Sequence, residues 1–128
     1  MDFDWQAEYE KAGEAEYAYY SLATDEQLLA ELDKRTFGRY YSLWDVIRYR
    51  KKPNFIQPLF EALKTLRGLE YFHDRHHCID AIFELAGIKN KPLRARILGY
   101  STEFNETQFE TALQELEKKI RRKLAQIH

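Results

Sequence analysis

The sequence has one cysteine, three prolines and five glycines in 128 residues, and it has no long apolar run. Because one thiol cannot form an intramolecular disulfide, the disulfide framework of a small secreted domain is excluded. No window approaches the roughly 18 consecutive apolar residues of a membrane-spanning helix. The start, MDFDWQAEYE, has neither the basic residues nor the apolar stretch of a signal peptide. These absences predict a soluble, cytoplasmic protein with no membrane partner.

Recognisable catalytic signatures are also missing. The chain contains no G-x-S-x-G, no G-x-x-x-x-G-K-[ST], no G-x-G-x-x-G and no H-E-x-x-H. Carboxylates such as Glu61 or Asp80 act as acid or base only inside a pocket, which the sequence does not reveal. We therefore expect a protein that is not an enzyme and has no cofactor.

Charge is unevenly distributed, although the net charge is only −1. Residues 1–33 contain ten acids and a single base, whereas residues 34–128 contain eleven acids and nineteen bases. Such asymmetry predicts either nucleic-acid binding or masking of a basic surface by an acidic segment. We predict one domain over 1–128, in which an acidic segment, 1–23, lies over the basic surface of a body, 24–128. Trp5, Tyr9 and Tyr20 would be the apolar anchors of that segment.

Nearly every segment has the apolar spacing of an α-helix, and no five-residue run alternates as a half-buried strand does. The pattern predicts an all-α fold of six or seven helices. Thr24, with Gln27 three residues later, forms a capping box. Ser42, Asn90 and Asn105 are the N-caps predicted for later helices.

Two parts of the chain are alike at a separation of about 35 residues. LWDVI at 43–47 aligns with CIDAI at 78–82, and PLFEAL from position 58 aligns with PLRARI from position 92. A helix, a short link and a second helix that repeat at this period are typical of stacked helical hairpins. We predict that residues 43–66 and 71–98 form two similar antiparallel hairpins.

The segments RHHCIDAIFELAGIKNKPLRARIL and YSLWDVIRYRKKPNFIQPLFEAL resemble degenerate bacterial HEAT-like repeats. They share an interior Asp, a small residue after the first helix and a Pro that opens the second. The resemblance covers about half of the chain, and it implies a short right-handed α-solenoid that serves as a binding surface. The second quoted segment departs from the family pattern at Trp44 and at RKKPN, where the family has a tight turn with Gly.

The stretch EYFHDRHHCIDAIFELAG, residues 70–87, concentrates three histidines with carboxylates and the only cysteine. On a helix, His73, His77, Asp80 and Glu84 form a stripe opposite the apolar face. Two imidazoles four residues apart can both bind Zn²⁺. A solvated surface explains the same stripe without a metal. We predict that the stripe faces solvent and binds no metal, and that Cys78 is a buried, inert thiol.

Arg75 lies in the middle of the apolar face of the same helix. An unpaired buried charge costs several kcal/mol, so the guanidinium must precede the helix or be paired with a carboxylate. Asp45 and Asp74 are the candidate partners. We expect a structural ion pair rather than a functional arginine.

Basic residues form four clusters: RYRKK at 48–52, Lys64 with Arg67, KNKPLRAR at 89–96 and KKIRRK at 118–123. If the hairpins stack, the first and third clusters form one ridge, which is what neutralisation of phosphates requires. The alternative is a solvated, salt-bridged surface. The last cluster fits that alternative because Glu115 and Glu117 interleave with it.

Tyrosine is abundant, with nine residues, and it clusters at 17–20 and 39–41. Tyr and Arg are enriched in binding hot spots because they bury a large area and keep a polar tip. We predict a module that binds a protein partner, with nucleic-acid binding as the alternative. The candidate partner-binding residues are Tyr40, Tyr41, Trp44, Arg48, Tyr49, Arg50, Lys51, Lys52, Lys91, Arg94 and Arg96.

Overall fold

A computed structural model of the chain describes residues 3–127, which fold into seven α-helices without a strand. The helices are α1 Trp5–Ser21, α2 Asp25–Lys34, α3 Ser42–Arg50, α4 Ile56–Leu63, α5 Phe72–Ala86, α6 Lys91–Leu98 and α7 Glu106–Ile127. Short 3-10 turns precede α4 and α5. The predicted all-α class is confirmed. Within the described range, no helix combines the length and apolarity needed to span a bilayer.

Local signals set most of the helix starts. Thr24 Oγ1 accepts a hydrogen bond from the backbone N–H of Gln27, and the Gln27 side chain accepts one from the backbone N–H of Thr24. This confirms the predicted capping box at α2. Asn90 and Asn105 likewise accept from the backbone three residues ahead, so both predicted caps are correct.

The start of α3 differs from the prediction. Tyr41, not Ser42, occupies the N-cap position, in a left-handed conformation with φ of 63°. None of the described side chains caps this helix, and Ser42 is a buried first residue. The left-handed turn brings Tyr40 and Tyr41 against neighbouring helices, α1 and α5.

α5 is the helix on which most of the others pack. α1 packs on α3, α3 packs on α5, and α2 packs on α4. α4, α6 and α7 also contact α5, and α6 packs on α7. α3 and α4, which the sequence pairs as one hairpin, contact each other much less than either contacts α5. The similarity of the two hairpins therefore stays a prediction.

One apolar core runs from Tyr20 at the end of α1 to Ile120 in α7. Tyr20 is the only side chain of the 17-residue α1 that is fully buried. The last turn of α1 is therefore anchored in the core, and the first turns lie outside it. This uneven packing leaves aromatic side chains of α1 at the surface.

Candidate interaction surface

Trp44 does not belong to a surface, which corrects its place among the candidate residues. Its side chain is fully buried, and its indole N–H donates to Asp74 Oδ1 at 2.9 Å. The Phe37 ring packs beside it, with the centroids 4.8 Å apart. α3 has α1 on one side and α5 on the other, and Trp44 lies on the part of α3 that these helices cover, whereas Tyr49 near the end of α3 does not.

The arginines of the predicted ridge are engaged in intramolecular ion pairs. Four carboxylates from α2, α5 and α7 lie between them, so about half of the positive charge of the ridge is neutralised locally. This arrangement corresponds to the salt-bridged alternative. The pairs are Arg48–Glu84, Arg50–Asp25, Lys52–Asp25, Arg94–Asp80 and Arg96–Glu115.

The remaining candidates are divided between packed and open positions. Tyr41 is half-buried and stacks on His77, with the rings nearly parallel and the centroids 4.8 Å apart. Tyr49 is 58% exposed. Lys51 and Lys91 are exposed and have no carboxylate partner among residues 3–127. Tyr41, Tyr49, Lys51 and Lys91 are not among the described residues that line the aromatic groove beside α1.

Only part of the histidine stripe faces solvent. His73 and Glu84 are exposed as predicted. His77 is half-buried, 3.5 Å from Asp45, and Asp80 is half-buried, 2.8 Å from the Arg94 guanidinium. The stripe therefore packs against α3 and α6 at its centre, which corrects the prediction of a fully solvated face. Among the described residues, no three His, Cys, Asp or Glu side chains converge as metal ligands would.

Cys78 is fully buried, as predicted. Its Sγ donates to the backbone carbonyl of Leu59 at 3.4 Å. Burial raises the pKa of the Cys78 thiol well above its usual range, so the thiolate that reacts with oxidants or metals is suppressed.

Arg75 is fully buried on the apolar face, but the predicted ion pair is wrong. Neither Asp45 nor Asp74 contacts it, and its guanidinium instead donates to three backbone carbonyl oxygens at 2.7–3.0 Å. Desolvation by burial lowers the pKa of Arg75 from its ordinary value. Arg75 is thus a structural residue at a junction of helix ends. The three carbonyls belong to Leu66, Gly68 and Leu98.

Exposed aromatic side chains gather at the start of α1. Trp5 is 77% exposed and Tyr9 is 60% exposed. Phe3 packs edge-on against Trp5 at 4.4 Å, and Tyr9 meets Tyr40 edge-on at 5.0 Å between centroids. Of the three predicted anchors of the acidic segment, only Tyr20 is buried. We call Phe3, Trp5, Tyr9, Tyr17 and Tyr40 the α1 aromatic face.

A groove of about 410 Å³ follows the α1 aromatic face, with Tyr9, Tyr17 and Tyr40 among its lining residues. Glu10 and Glu14 also line it. Neither carboxylate forms an ion pair within the described part of the chain. The groove therefore combines aromatic rings with uncompensated negative charge.

Glu16 fixes the position of Tyr40 in this groove. Its carboxylate accepts the backbone N–H groups of Arg39 and Tyr40 at 2.6 and 2.8 Å. Gly38 precedes them with φ of 78°, and a Cβ there would lie 2.2 Å from Glu16 Oε1. Only glycine permits this approach, which ties the loop before α3 to α1.

The chain shows no significant match to any protein-family model, curated protein or solved structure. The HEAT-like resemblance stays a prediction. The α1 aromatic face was not among the candidate residues except for Tyr40. The signal that indicates it is Trp5 and Tyr9, one turn apart in a helix whose other residues are mostly acidic or small.

Proposed function

We propose that this protein is a non-enzymatic interaction module, a short HEAT-like α-solenoid that binds a basic segment of a partner protein. The binding site would be the α1 aromatic face. One observation carries this proposal: Trp5 and Tyr9 are mostly exposed beside a groove with unpaired carboxylates.

Exposed aromatic side chains contribute a large binding free energy when a partner covers them. An aromatic side chain buries about 150–250 Å² when it is covered. At about 25 cal/mol per Å², one covered ring contributes on the order of 4 kcal/mol before the costs of association. Contiguous exposed apolar groups rimmed by polar groups are typical of protein-binding surfaces.

The charge around these rings favours a basic partner. Glu8, Glu10 and Glu14 lie along the same helix as Trp5 and Tyr9. Lys and Arg side chains of a partner can pair with the carboxylates and also lie over the rings in cation–π contacts. The negative field steers a basic segment toward the groove and repels a phosphate backbone.

The nucleic-acid alternative has weaker support. Its ridge depends on Arg48, Arg50, Arg94 and Arg96, and each of these lies in an ion pair with a carboxylate. Such pairs must be broken or screened before the arginines can neutralise phosphates. These contacts weigh against the ridge as a nucleic-acid site.

The test is selection of peptides from a random library rich in Lys and Arg on the full chain, followed by measurement of Kd. Trp5 is the exposed tryptophan and Trp44 the buried one, so binding should shift the Trp5 fluorescence to shorter wavelength. We expect Trp5→Ala with Tyr9→Ala to weaken the selected peptides at least about tenfold.

The matched control is Tyr49→Ala with Tyr100→Ala, since both tyrosines are more than half exposed but lie outside the α1 aromatic face. The control should change Kd by less than about twofold. Equal losses in both variants, or tighter binding of a random oligonucleotide than of any selected peptide, would contradict the proposal.

A further inference from the structure

A second cleft lies where the turn between α5 and α6 meets the last turns of α7. Its volume is about 300 Å³. Four cationic side chains line it, and none of the described residues that line it is acidic. The cations are Lys89, Lys119, Arg122 and Lys123.

These four cations differ from the arginines of α3 and α6. None of the four has a carboxylate within 4.0 Å among the described residues, whereas Arg94 and Arg96 both do. Arg121, on the same helix but outside the cleft, pairs with Glu117. Four like charges held around one cleft repel each other, and a bound anion would relieve that repulsion.

The backbone holds this arrangement in place. Gly87 ends α5 in a left-handed conformation with φ of 66°, and the following Ile88 is buried in the core. Lys89 is therefore held beside α7. The hydrogen bonds of the described chain include none donated by the backbone N–H of Lys89 or Asn90. α6 begins at the next residue, Lys91, and the positive end of its helix dipole lies there.

We propose that this cleft binds a compact polyphosphate group, such as the triphosphate of a nucleotide or inorganic tripolyphosphate. Its volume is at the small end of ligand sites, which span about 300–1,000 Å³. Among the described residues, no aromatic side chain lines the cleft, so they offer no platform on which bases of a single strand would stack. Four cations are also fewer than the roughly 6–10 phosphate contacts of a nucleic-acid binder.

The first test is titration of the full chain with inorganic tripolyphosphate in a calorimeter at low salt. We expect one saturable site whose affinity falls as salt rises. Lys119→Gln with Lys123→Gln should weaken binding at least about tenfold. Lys89→Gln with Arg122→Gln should do the same, and both of those side chains are exposed, so their replacement leaves the packing intact.

The matched control is Lys118→Gln with Arg121→Gln. It removes the same charge from the same helix at positions that do not line the cleft, and we expect a change of less than about threefold. Equal weakening by the control and the cleft variants would show diffuse attraction and overturn the proposal, as would a lack of saturation.

A second arm compares sources of the phosphate group. Adenosine triphosphate should bind within about threefold of tripolyphosphate, because the cleft offers no ring for the base to stack on. A random single-stranded oligonucleotide that binds more tightly, and that tripolyphosphate does not displace, would overturn the compact-ligand proposal in favour of a nucleic-acid site.

Discussion

Arg75 and Arg50 make the same kind of contact in two different surroundings. Each guanidinium donates to three backbone carbonyl oxygens near helix ends. Arg75 is fully buried and has no carboxylate partner among residues 3–127, whereas the Arg50 side chain is 20% exposed and also donates to Asp25 at 2.7 Å. In this protein, backbone carbonyls and an aromatic ring hold the buried arginine, and a carboxylate is added where water reaches the site.

Helix ends explain how carbonyls can replace a counter-ion. The last carbonyls of a helix lack intrahelical donors, and together they carry about half a negative charge. Leu98 is the last residue of α6, and Leu66 and Gly68 follow α4 closely. The Phe104 ring, 4.6 Å from the Arg75 guanidinium carbon, covers the charge with its negative face. Arg75 therefore joins the end of α6 to the segment that follows α4.

The largest effect should come from Arg75→Met, which keeps the side-chain length and removes the donors. We expect a loss of about 3–5 kcal/mol in the free energy of unfolding, because three carbonyls, of which that of Leu66 is buried, lose their donor. Urea denaturation followed by circular dichroism measures it. Arg75→Lys should recover only part of the loss, since one ammonium cannot reach three carbonyls in the geometry of the guanidinium fork.

In other proteins, replacing a buried charge with a hydrophobic side chain can leave the free energy of unfolding unchanged. If the free energy of unfolding of Arg75→Met lies within about 1 kcal/mol of the parent value, the three carbonyl contacts of Arg75 do not stabilise the junction. The two arginines would then differ in kind, with only Arg50 stabilising its helix ends.

A smaller effect is expected at Arg50. Arg50→Met should lower the free energy of unfolding by about 1–2 kcal/mol, because the freed carbonyls at the end of α1 can accept hydrogen bonds from water. Arg48→Met is the matched control on the same helix. Its ion pair with Glu84 joins two side chains that are 36% and 42% exposed, and such pairs contribute about 0–1 kcal/mol. A loss at Arg48 equal to that at Arg50 would show that the carbonyl contacts add nothing.

The sequence predicts much of the local structure of these junctions and little of their partners. Helical periodicity places Arg75 on the apolar face, and predicted cap residues place three of the seven helix starts. The partner of Arg75 was not predictable in the same way, because every residue carries a carbonyl and only the fold selects which ones converge. Asp45 and Asp74 are the carboxylates that the sequence indicates, but they contact His77 and Trp44 instead.

The same limit applies to the surfaces. Arg48 and Glu84 are 36 residues apart, so charge clusters in the sequence do not show which cations are neutralised. Lys89 and Lys119 are separated by a complete helix, yet they line one cleft. Trp44 lies in an aromatic cluster that the sequence suggests is a surface, but packing on both sides of α3 buries it.

The smallest predicted effect separates the two junctions by pH. Hydrogen bonds from Lys52 and Arg50 lower the pKa of Asp25 below its ordinary value of 3.8. Because the folded pKa lies below the unfolded one, the stabilisation by Asp25 is complete above the unfolded pKa and is lost as pH falls through the folded pKa. Asp25→Asn should therefore lower the urea midpoint at neutral pH and converge with the parent protein in acid.

No carboxylate contacts Arg75 within the described chain, so its junction has no such acid transition. The difference in urea midpoint between the parent protein and Arg75→Met should stay constant over the pH range in which the Asp25→Asn difference disappears. If the Arg75 difference instead falls in parallel, a titrating carboxylate supports the buried guanidinium after all. In that case the two junctions work by one mechanism, and backbone dipoles are not sufficient to hold a buried arginine here.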